Sequence, residues 1–167
     1  MEASSRRILK SENENKELLI ASTTKIMTAI VCIENFDLNE KIVILDDYTR
    51  AIGSRAYLKA SDILTREDLL YALMLRSGND AALALSNNDS FDFIYLMNDL
   101  AKKIGMNDSY FVNSSGLDEE NYNISTAYDM ALLMSYASQN EIFLKIAGTK
   151  NYSIDDRYSF IISTSWY

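Results

Sequence analysis

Histidine and proline do not occur in this sequence of 167 residues, and cysteine occurs once. The absence of histidine excludes a Ser-His-Asp triad, a Cys-His pair and any His-ligated metal site. A single cysteine, Cys32, excludes a disulfide or a cysteine-based zinc cluster within this sequence, and its place in an apolar run predicts a small buried side chain. Nucleophilic chemistry would therefore require lysine, aspartate, glutamate or tyrosine as the base.

Basic residues and long apolar runs are also scarce. Lysine and arginine total 16 against 24 aspartates and glutamates, and the net charge of -8 argues against a nucleic acid partner. The longest apolar window, residues 26–33, is too short to cross a bilayer, and residues 1–10 lack the apolar core of a signal peptide. We therefore expect no transmembrane segment and no export signal in this chain.

The remaining composition is that of a globular protein. Hydrophobic residues make up 48% and charged residues 24%, and the length fits one domain. Strand-like patterns lie near both ends, at about 6–10 and 150–167, and the second of these predicts a hairpin. Between them, at about 22–148, the apolar spacing predicts helices, one of them starting at a capping box of Thr65 and Asp68.

Ser22 precedes Lys25 by three residues at the start of an apolar segment, and two interpretations of this pair stay open. In the first, Ser22 caps a helix and Lys25 is a solvated side chain of its first turn. In the second, Lys25 is the base for a nucleophilic Ser22, because the flanking apolar residues would desolvate the ammonium and lower its pKa. The spacing puts both side chains on one helix face, and the helix N-terminus favours a developing oxyanion.

Ser77, Gly78 and Asn79 are small polar residues between two apolar segments, and two interpretations are again open. They either form a helix junction, in which Asn79 or Asp80 caps the next helix, or present a hydroxyl and an amide on a rigid turn into a cleft. In the second case Ser77 would relay a proton between Lys25 and a leaving amine. Asn79 would then hold a substrate amide as well as the lysine.

An S-x-x-K followed by S-x-N is typical of the penicillin-recognising serine enzymes. Within that group the chain resembles the low-molecular-mass D-alanyl-D-alanine carboxypeptidases, the serine peptidases of the penicillin-binding protein 5 type. The resemblance runs from about Ile8 to the C-terminus. The stretches that carry it follow the order of that family: ASTTKIMTA, LTREDLLYALMLRSGNDAALAL, LMNDLAKKIGM, FVNSSGLDEENYNISTAYDMALL and KNYSI.

This resemblance implies an activity and a role for each matching residue. Ser22 would attack the penultimate D-Ala of a peptidoglycan stem peptide ending in D-Ala-D-Ala, and the terminal D-Ala would leave. Lys25 would accept the Ser22 proton. Ser77 would pass that proton to the leaving amine, and Asn79 would bind the substrate amide. β-Lactam antibiotics would acylate the same serine, no cofactor or metal would take part, and the substrate implies an extracytoplasmic location in the cell envelope.

The implied fold class is α/β, of the β-lactamase/transpeptidase type, with the nucleophile between a helical subdomain and an antiparallel sheet. The family's third motif, K-T-G or K-S-G on a strand lining the cleft, does not occur in the 167 residues. We therefore expect residues 1–167 to form a single, incomplete catalytic domain that is truncated before this motif. Its helical part would be nearly complete and its sheet would not, so that activity of the chain alone stays open.

Two other functions stay open. One is a relative of the class A β-lactamases, although the second motif of that class is SDN rather than the SGN found here. The other is a non-catalytic remnant of the family that binds stem peptides or another partner.

Overall fold

The computed structural model describes residues 1–87, 92–117 and 122–161. These residues form seven α-helices and three two-stranded antiparallel sheets. The helices are α1 (Thr24–Asn35), α2 (Asp46–Thr49), α3 (Arg66–Arg76), α4 (Asn79–Ser86), α5 (Phe93–Ile104), α6 (Ala127–Ala137) and α7 (Glu141–Ala147). The strands are β1 (Leu18–Leu19), β2 (Lys41–Val43), β3 (Ile63–Thr65), β4 (Ile124–Ser125), β5 (Asn151–Ile154) and β6 (Tyr158–Ile161). In the sheets β1 pairs with β4, β2 with β3, and β5 with β6.

Helix α1 lies at the centre of the molecule and packs against α3, α4, α5, α6 and α7. Eight of its twelve residues are buried, because its apolar side chains cover more than one face. Cys32 is among the buried residues, as its apolar surroundings predict. Side chains in the first turn of this central helix therefore lie in a packed environment.

Local capping signals set the boundaries of α3 and α4. The Thr65 side chain accepts from the backbone N–H of Asp68, and the Asp68 carboxylate accepts from the backbone N–H of Thr65, which confirms the predicted capping box. Helix α3 ends at Arg76, its C-cap Ser77 has the left-handed backbone conformation with φ 51°, and α4 begins at Asn79. The chain therefore turns sharply at the predicted helix junction.

The strand-like ends have different outcomes. The predicted hairpin is confirmed as β5 and β6, within residues 151–161, and residues 162–167 lie outside the described ranges. The strand predicted at about 6–10 is wrong: these residues are exposed and pair with none of the described strands, and Arg6 has φ 56°. A strand is stabilised by hydrogen bonds to a neighbour, and the described strands pair with one another instead.

No helix in the described ranges combines the length and apolarity that a membrane crossing requires.

Candidate active site

A short helical turn presents Ser22 at the N-terminus of α1. Residues Ala21–Thr23 form a single 3-10 turn, and the α-helix begins one residue later at Thr24. Ser22 therefore lies within this turn and is not the N-cap that the sequence suggested, because no side chain caps the turn or α1. The turn brings Ser22 Oγ to 3.2 Å from Lys25 Nζ, so the predicted pair is in hydrogen-bond contact.

Lys25 is buried, with only 3% of its surface exposed. Its Nζ donates to Asn79 Oδ1 at 2.8 Å and to the backbone carbonyl oxygen of Ser115 at 2.6 Å, in addition to Ser22. Burial lowers the pKa of Lys25 to about 8, and the negative charge of Asp80 partly opposes that change. The desolvated lysine predicted from its apolar flanks is therefore present, and the solvated first-turn lysine is excluded.

Asn79 connects Lys25 to the loop that precedes β3. Its backbone N–H donates to the carbonyl oxygen of Ser54 at 2.8 Å, and its Nδ2 donates to the carbonyl oxygen of Ile52 at 2.6 Å. Asn79 is 6% exposed, and its two side-chain bonds leave little freedom of rotation. The amide oxygen that contacts Lys25 is thereby fixed in orientation.

The fully buried carboxylate of Asp80 holds the same loop. It accepts from the backbone N–H of Ala56 at 2.9 Å and from that of Leu58 at 3.1 Å. A carboxylate in the core is stabilised only when such donors satisfy it. Asp80 therefore fixes the loop against α4 and also places a negative charge near Lys25.

Ser77 lies in the same cavity as the serine–lysine pair. This cavity of about 440 Å³ is lined by Ser22, Lys25 and Ser77, together with apolar side chains that include Met74. Ser77 is not one of the three groups that Lys25 contacts. The structure thus brings Ser22, Lys25 and Asn79 into one hydrogen-bonded group, and it puts Ser77 on the wall of the cavity that Ser22 and Lys25 line.

The carbonyl oxygen of Ser115 is the part of the site that sequence reasoning missed. It belongs to the turn Asn113–Gly116, in which Asn113 Oδ1 accepts from the backbone N–H groups of Ser115 at 3.2 Å and Gly116 at 2.7 Å. The letters NSSG indicate a turn, but a backbone carbonyl has no residue-type signature of its own. Within the described ranges no three acidic or cysteine side chains come together as ligands for a metal ion.

Comparison with known proteins identifies the group to which this arrangement belongs. The family of S11 peptidases, described as D-alanyl-D-alanine carboxypeptidase, matches residues 1–166. The chain is 31% identical over 151 residues to D-alanyl-D-alanine carboxypeptidase DacF of Bacillus subtilis (strain 168), covering 86% of this chain and 39% of that protein. It is 34% identical over 147 residues to a D-alanyl-D-alanine carboxypeptidase of Streptomyces sp. (strain K15), covering 79% of this chain and 50% of that protein.

Solved structures give the same result for the fold. A D-alanyl-D-alanine carboxypeptidase of Mycobacterium tuberculosis H37Rv superposes with a TM-score of 0.91 at 27% identity, over 96% of this chain and 63% of the other. The Streptomyces K15 DD-transpeptidase superposes with a TM-score of 0.86 at 32% identity, over 92% of this chain and 64% of the other. The predicted α/β class is confirmed, and the chain spans half or less of the length of the two curated relatives compared above. This chain belongs to the S11 peptidase family of D-alanyl-D-alanine carboxypeptidases.

Proposed function

We propose that this chain carries the acylating residues of a serine carboxypeptidase that removes the terminal D-Ala of peptidoglycan stem peptides ending in D-Ala-D-Ala. The observation that carries the proposal is the 3.2 Å contact between Lys25 Nζ and Ser22 Oγ, made by a lysine whose pKa is about 8. A serine hydroxyl needs a base to become a nucleophile. With no histidine in the sequence, Lys25 is the basic side chain in contact with that hydroxyl.

The other partners of Lys25 orient its lone pair toward Ser22. A neutral lysine amine has two N–H groups and one lone pair, whereas the ammonium has three N–H groups. The two shortest contacts of Nζ are to carbonyl-type oxygens, Asn79 Oδ1 and Ser115 O, which accept hydrogen bonds and cannot donate them. In the neutral form these oxygens take both N–H groups, so the lone pair faces the Ser22 hydroxyl. With a pKa of about 8, roughly one lysine in ten is neutral at pH 7.

The acylation step follows from this orientation. Ser22 Oγ forms a bond to the carbonyl carbon of the penultimate D-Ala while its proton passes to Lys25 Nζ. Collapse of the tetrahedral intermediate breaks the C–N bond to the terminal D-Ala, whose amine takes a proton from Lys25 by way of the Ser77 hydroxyl. Water then hydrolyses the ester, which releases the shortened peptide and restores Ser22. β-Lactams would acylate Ser22 by the same attack on their ring carbonyl.

Asn79 and the backbone of Ser22 are the groups that we assign to substrate binding. One N–H of the Asn79 amide donates to Ile52, and its second N–H is the donor that we propose for a substrate carbonyl. The backbone N–H of Ser22 would supply one donor to the oxyanion. Because K-T-G and K-S-G are absent from the 167 residues, we expect no second oxyanion donor of that origin, and acylation slower by about 100- to 1,000-fold.

Mass spectrometry after long incubation with a fluorescent penicillin tests the proposal on the chain of 167 residues. We expect a covalent adduct that maps to Ser22 and disappears in Ser22→Ala. Ser153→Ala is the matched control, because this exposed serine of β5 lies outside the site and its loss should leave the adduct unchanged. Circular dichroism on each variant establishes that the protein is folded.

The opposite result would be equally clear. Folded protein without an adduct, or an adduct that persists in Ser22→Ala, would overturn the proposal for this chain. The first of these outcomes would leave the non-catalytic family remnant as the better description.

Because the proposed substrate is a cell-wall peptide, we also propose an extracytoplasmic site of action in the cell envelope.

A further inference from the structure

The turn Asn113–Gly116 holds Lys25 through a backbone atom, so something must fix that turn relative to α1. We propose that Asn123 is a positioning residue for the Ser22–Lys25 pair, which it serves by fixing this turn to the first residue of α1. The inference rests on the proposed function in that it assigns Asn123 a role in the reaction. Asn123 contacts neither Ser22 nor Lys25 and acts through the groups between them.

The Asn123 side chain is fully buried, and its amide forms hydrogen bonds in two directions. Its Nδ2 donates to Thr24 Oγ1 at 2.9 Å and to the carbonyl oxygen of Asn113 at 3.0 Å. Its Oδ1 accepts from the backbone N–H groups of Val112 at 2.7 Å and Asn113 at 3.1 Å. One side-chain amide therefore joins α1 to both backbone groups of Asn113, the residue that begins the turn.

The rest of the turn depends on the position of Asn113. Its side-chain oxygen accepts from the backbone N–H groups of Ser115 and Gly116, and its Nδ2 donates to the carbonyl oxygen of Leu117 at 3.1 Å. This Asx-type pattern fixes the direction in which the Ser115 carbonyl points. Since Asn123 holds Asn113, it determines where that carbonyl lies relative to Lys25.

The side of the turn opposite Asn123 is also attached to α1. Thr28 Oγ1 donates to the carbonyl oxygen of Ser114 at 2.6 Å, one turn of helix beyond Thr24. Lys25 and Thr28 therefore bond carbonyl oxygens of the turn directly, whereas Thr24 is joined to the turn through Asn123. All three side chains are buried. Loss of the Thr24–Asn123 bond frees the Asn113 end of the turn from the first residue of α1, while Thr28 keeps its bond to Ser114.

A displaced Ser115 carbonyl would change both the orientation and the environment of Lys25. One N–H of the neutral amine would lose its acceptor, so the lone pair would no longer be directed at Ser22. Water would enter beside Nζ and weaken the desolvation that lowers the pKa of Lys25. Asp80 of α4 is the charged group that acts on Lys25, and it lies outside the turn and would stay in place.

Titration of Lys25 in Asn123→Ala tests this inference without relying on catalysis. In protein labelled with 13C at the lysine Cε, the Lys25 signal is assigned by its loss in Lys25→Arg. We expect the pKa to rise from about 8 to about 9 in Asn123→Ala, which lowers the neutral fraction at pH 7 about tenfold. The rate of penicillin acylation at pH 7 should fall by the same factor, and its rise with pH should move to higher pH.

Asn98→Ala is the matched control. The Asn98 amide forms three hydrogen bonds, to the backbone of Ile94 and to both backbone groups of Phe111, so it anchors the same loop to α5 away from Lys25. We expect this variant to lose stability and to keep the wild-type titration of Lys25. A Lys25 titration curve in Asn123→Ala that equals those of the wild type and of Asn98→Ala would overturn the inference, because Asn123 would then serve stability alone.

A second pair of variants covers the case in which Asn123→Ala does not fold. Thr24→Ser keeps the acceptor for Asn123, whereas Thr24→Val keeps the shape and removes the acceptor. We expect Thr24→Ser to match the wild type and Thr24→Val to raise the pKa of Lys25, and an unchanged pKa in folded Thr24→Val would overturn the inference. If the wild type forms no penicillin adduct, the proposed function fails, while the titrations still decide whether Asn123 positions Lys25.

Discussion

A β-carbon on Gly116 would lie 1.8 Å from the carbonyl oxygen of Ala21. Both residues have the left-handed backbone conformation, with φ 75° at Gly116 and φ 44° at Ala21. Ala21 directly precedes Ser22, and Gly116 directly follows Ser115, whose carbonyl oxygen accepts from Lys25. The 3-10 turn and the turn Asn113–Gly116 therefore touch backbone to backbone, and this close approach brings the two parts of the site together.

Replacing Gly116 by alanine should separate these two turns. A side chain at this position cannot avoid the Ala21 backbone by rotation, and it also strains the backbone at positive φ. We expect Gly116→Ala to lower the free energy of unfolding by about 3 kcal/mol or more, and to abolish acylation of Ser22 in whatever protein remains folded. Urea denaturation and adduct formation measure the two effects.

Gly105→Ala is the control for this substitution. Gly105 also has positive φ, 92°, but the nearest atom to an added β-carbon is Leu132 Cδ1 at 4.0 Å. Only the strain of the left-handed backbone should lower the free energy of unfolding of this variant, by about 1–2 kcal/mol, and its acylation should be normal. Similar losses in both variants would mean that the close approach to Ala21 contributes little.

The lowered pKa of Lys25 predicts a pH-dependent stability. Below pH 8 the lysine is protonated in the folded and the unfolded state. Between about pH 8 and its ordinary value of 10.5, the unfolded chain binds a proton that the folded chain does not, so the free energy of unfolding rises with pH.

Denaturation of the wild type and of Lys25→Met at several pH values isolates this contribution. The free energy of unfolding of the wild type minus that of Lys25→Met should increase by up to about 3 kcal/mol from pH 8 to 10.5. The other titrating groups contribute equally to both proteins and cancel. A flat difference would show that Lys25 has an ordinary pKa in the folded protein.

Asp80→Asn should lower the pKa of Lys25 further. The Asp80 charge raises that pKa, whereas burial of Lys25 lowers it. A neutral amide of the same shape removes the first effect and leaves the second. We also expect the free energy of unfolding to fall by about 1–3 kcal/mol. The NH2 group of the new amide would face a backbone N–H that now donates a hydrogen bond to the Asp80 carboxylate. Titration of the labelled Lys25 measures the first effect and denaturation the second.

Asp129→Asn is the matched control for Asp80. Asp129 is equally buried and accepts from Asp108 N and Ser109 Oγ, but it does not act on Lys25. Its loss should therefore reduce stability and leave the Lys25 titration unchanged. A pKa of Lys25 that rises or stays constant in Asp80→Asn would contradict the electrostatic argument.

The parts of this site that could be predicted from sequence are those with local geometry. The separation of Ser22 and Lys25 by three residues fixes their proximity once a helical turn forms there, and the capping box of Thr65 and Asp68 marks the start of α3 in the same way. The polar break before Asn79 marked the junction of two helices. In each case the residue types and their spacing determine the structure without knowledge of the rest of the chain.

The parts that could not be predicted depend on backbone atoms that are distant in sequence. The carbonyl of Ser115 is 90 residues from Lys25, and that of Ile52 is 27 residues from Asn79. The left-handed backbone of Ala21 has no composition signal, since alanine normally avoids that region. Strands of two residues, such as β1 and β4, are too short to show the alternation from which strands are predicted.

Tyr152 of β5 is one of the residues that attach the hairpin of β5 and β6 to α3. Its ring stacks on Tyr71 with centroids 3.7 Å apart, and its hydroxyl donates to Asp68 Oδ1 at 2.7 Å. Tyr152→Phe removes only the hydrogen bond and should lower the free energy of unfolding by about 1 kcal/mol, whereas Tyr152→Ala also removes the partly buried, stacked ring and should lower it by about 2–3 kcal/mol. In urea denaturation the exposed Tyr95→Phe should stay within about 0.5 kcal/mol of the wild type. Equal stability of Tyr152→Phe and Tyr152→Ala would show that the stacked ring does not attach the hairpin.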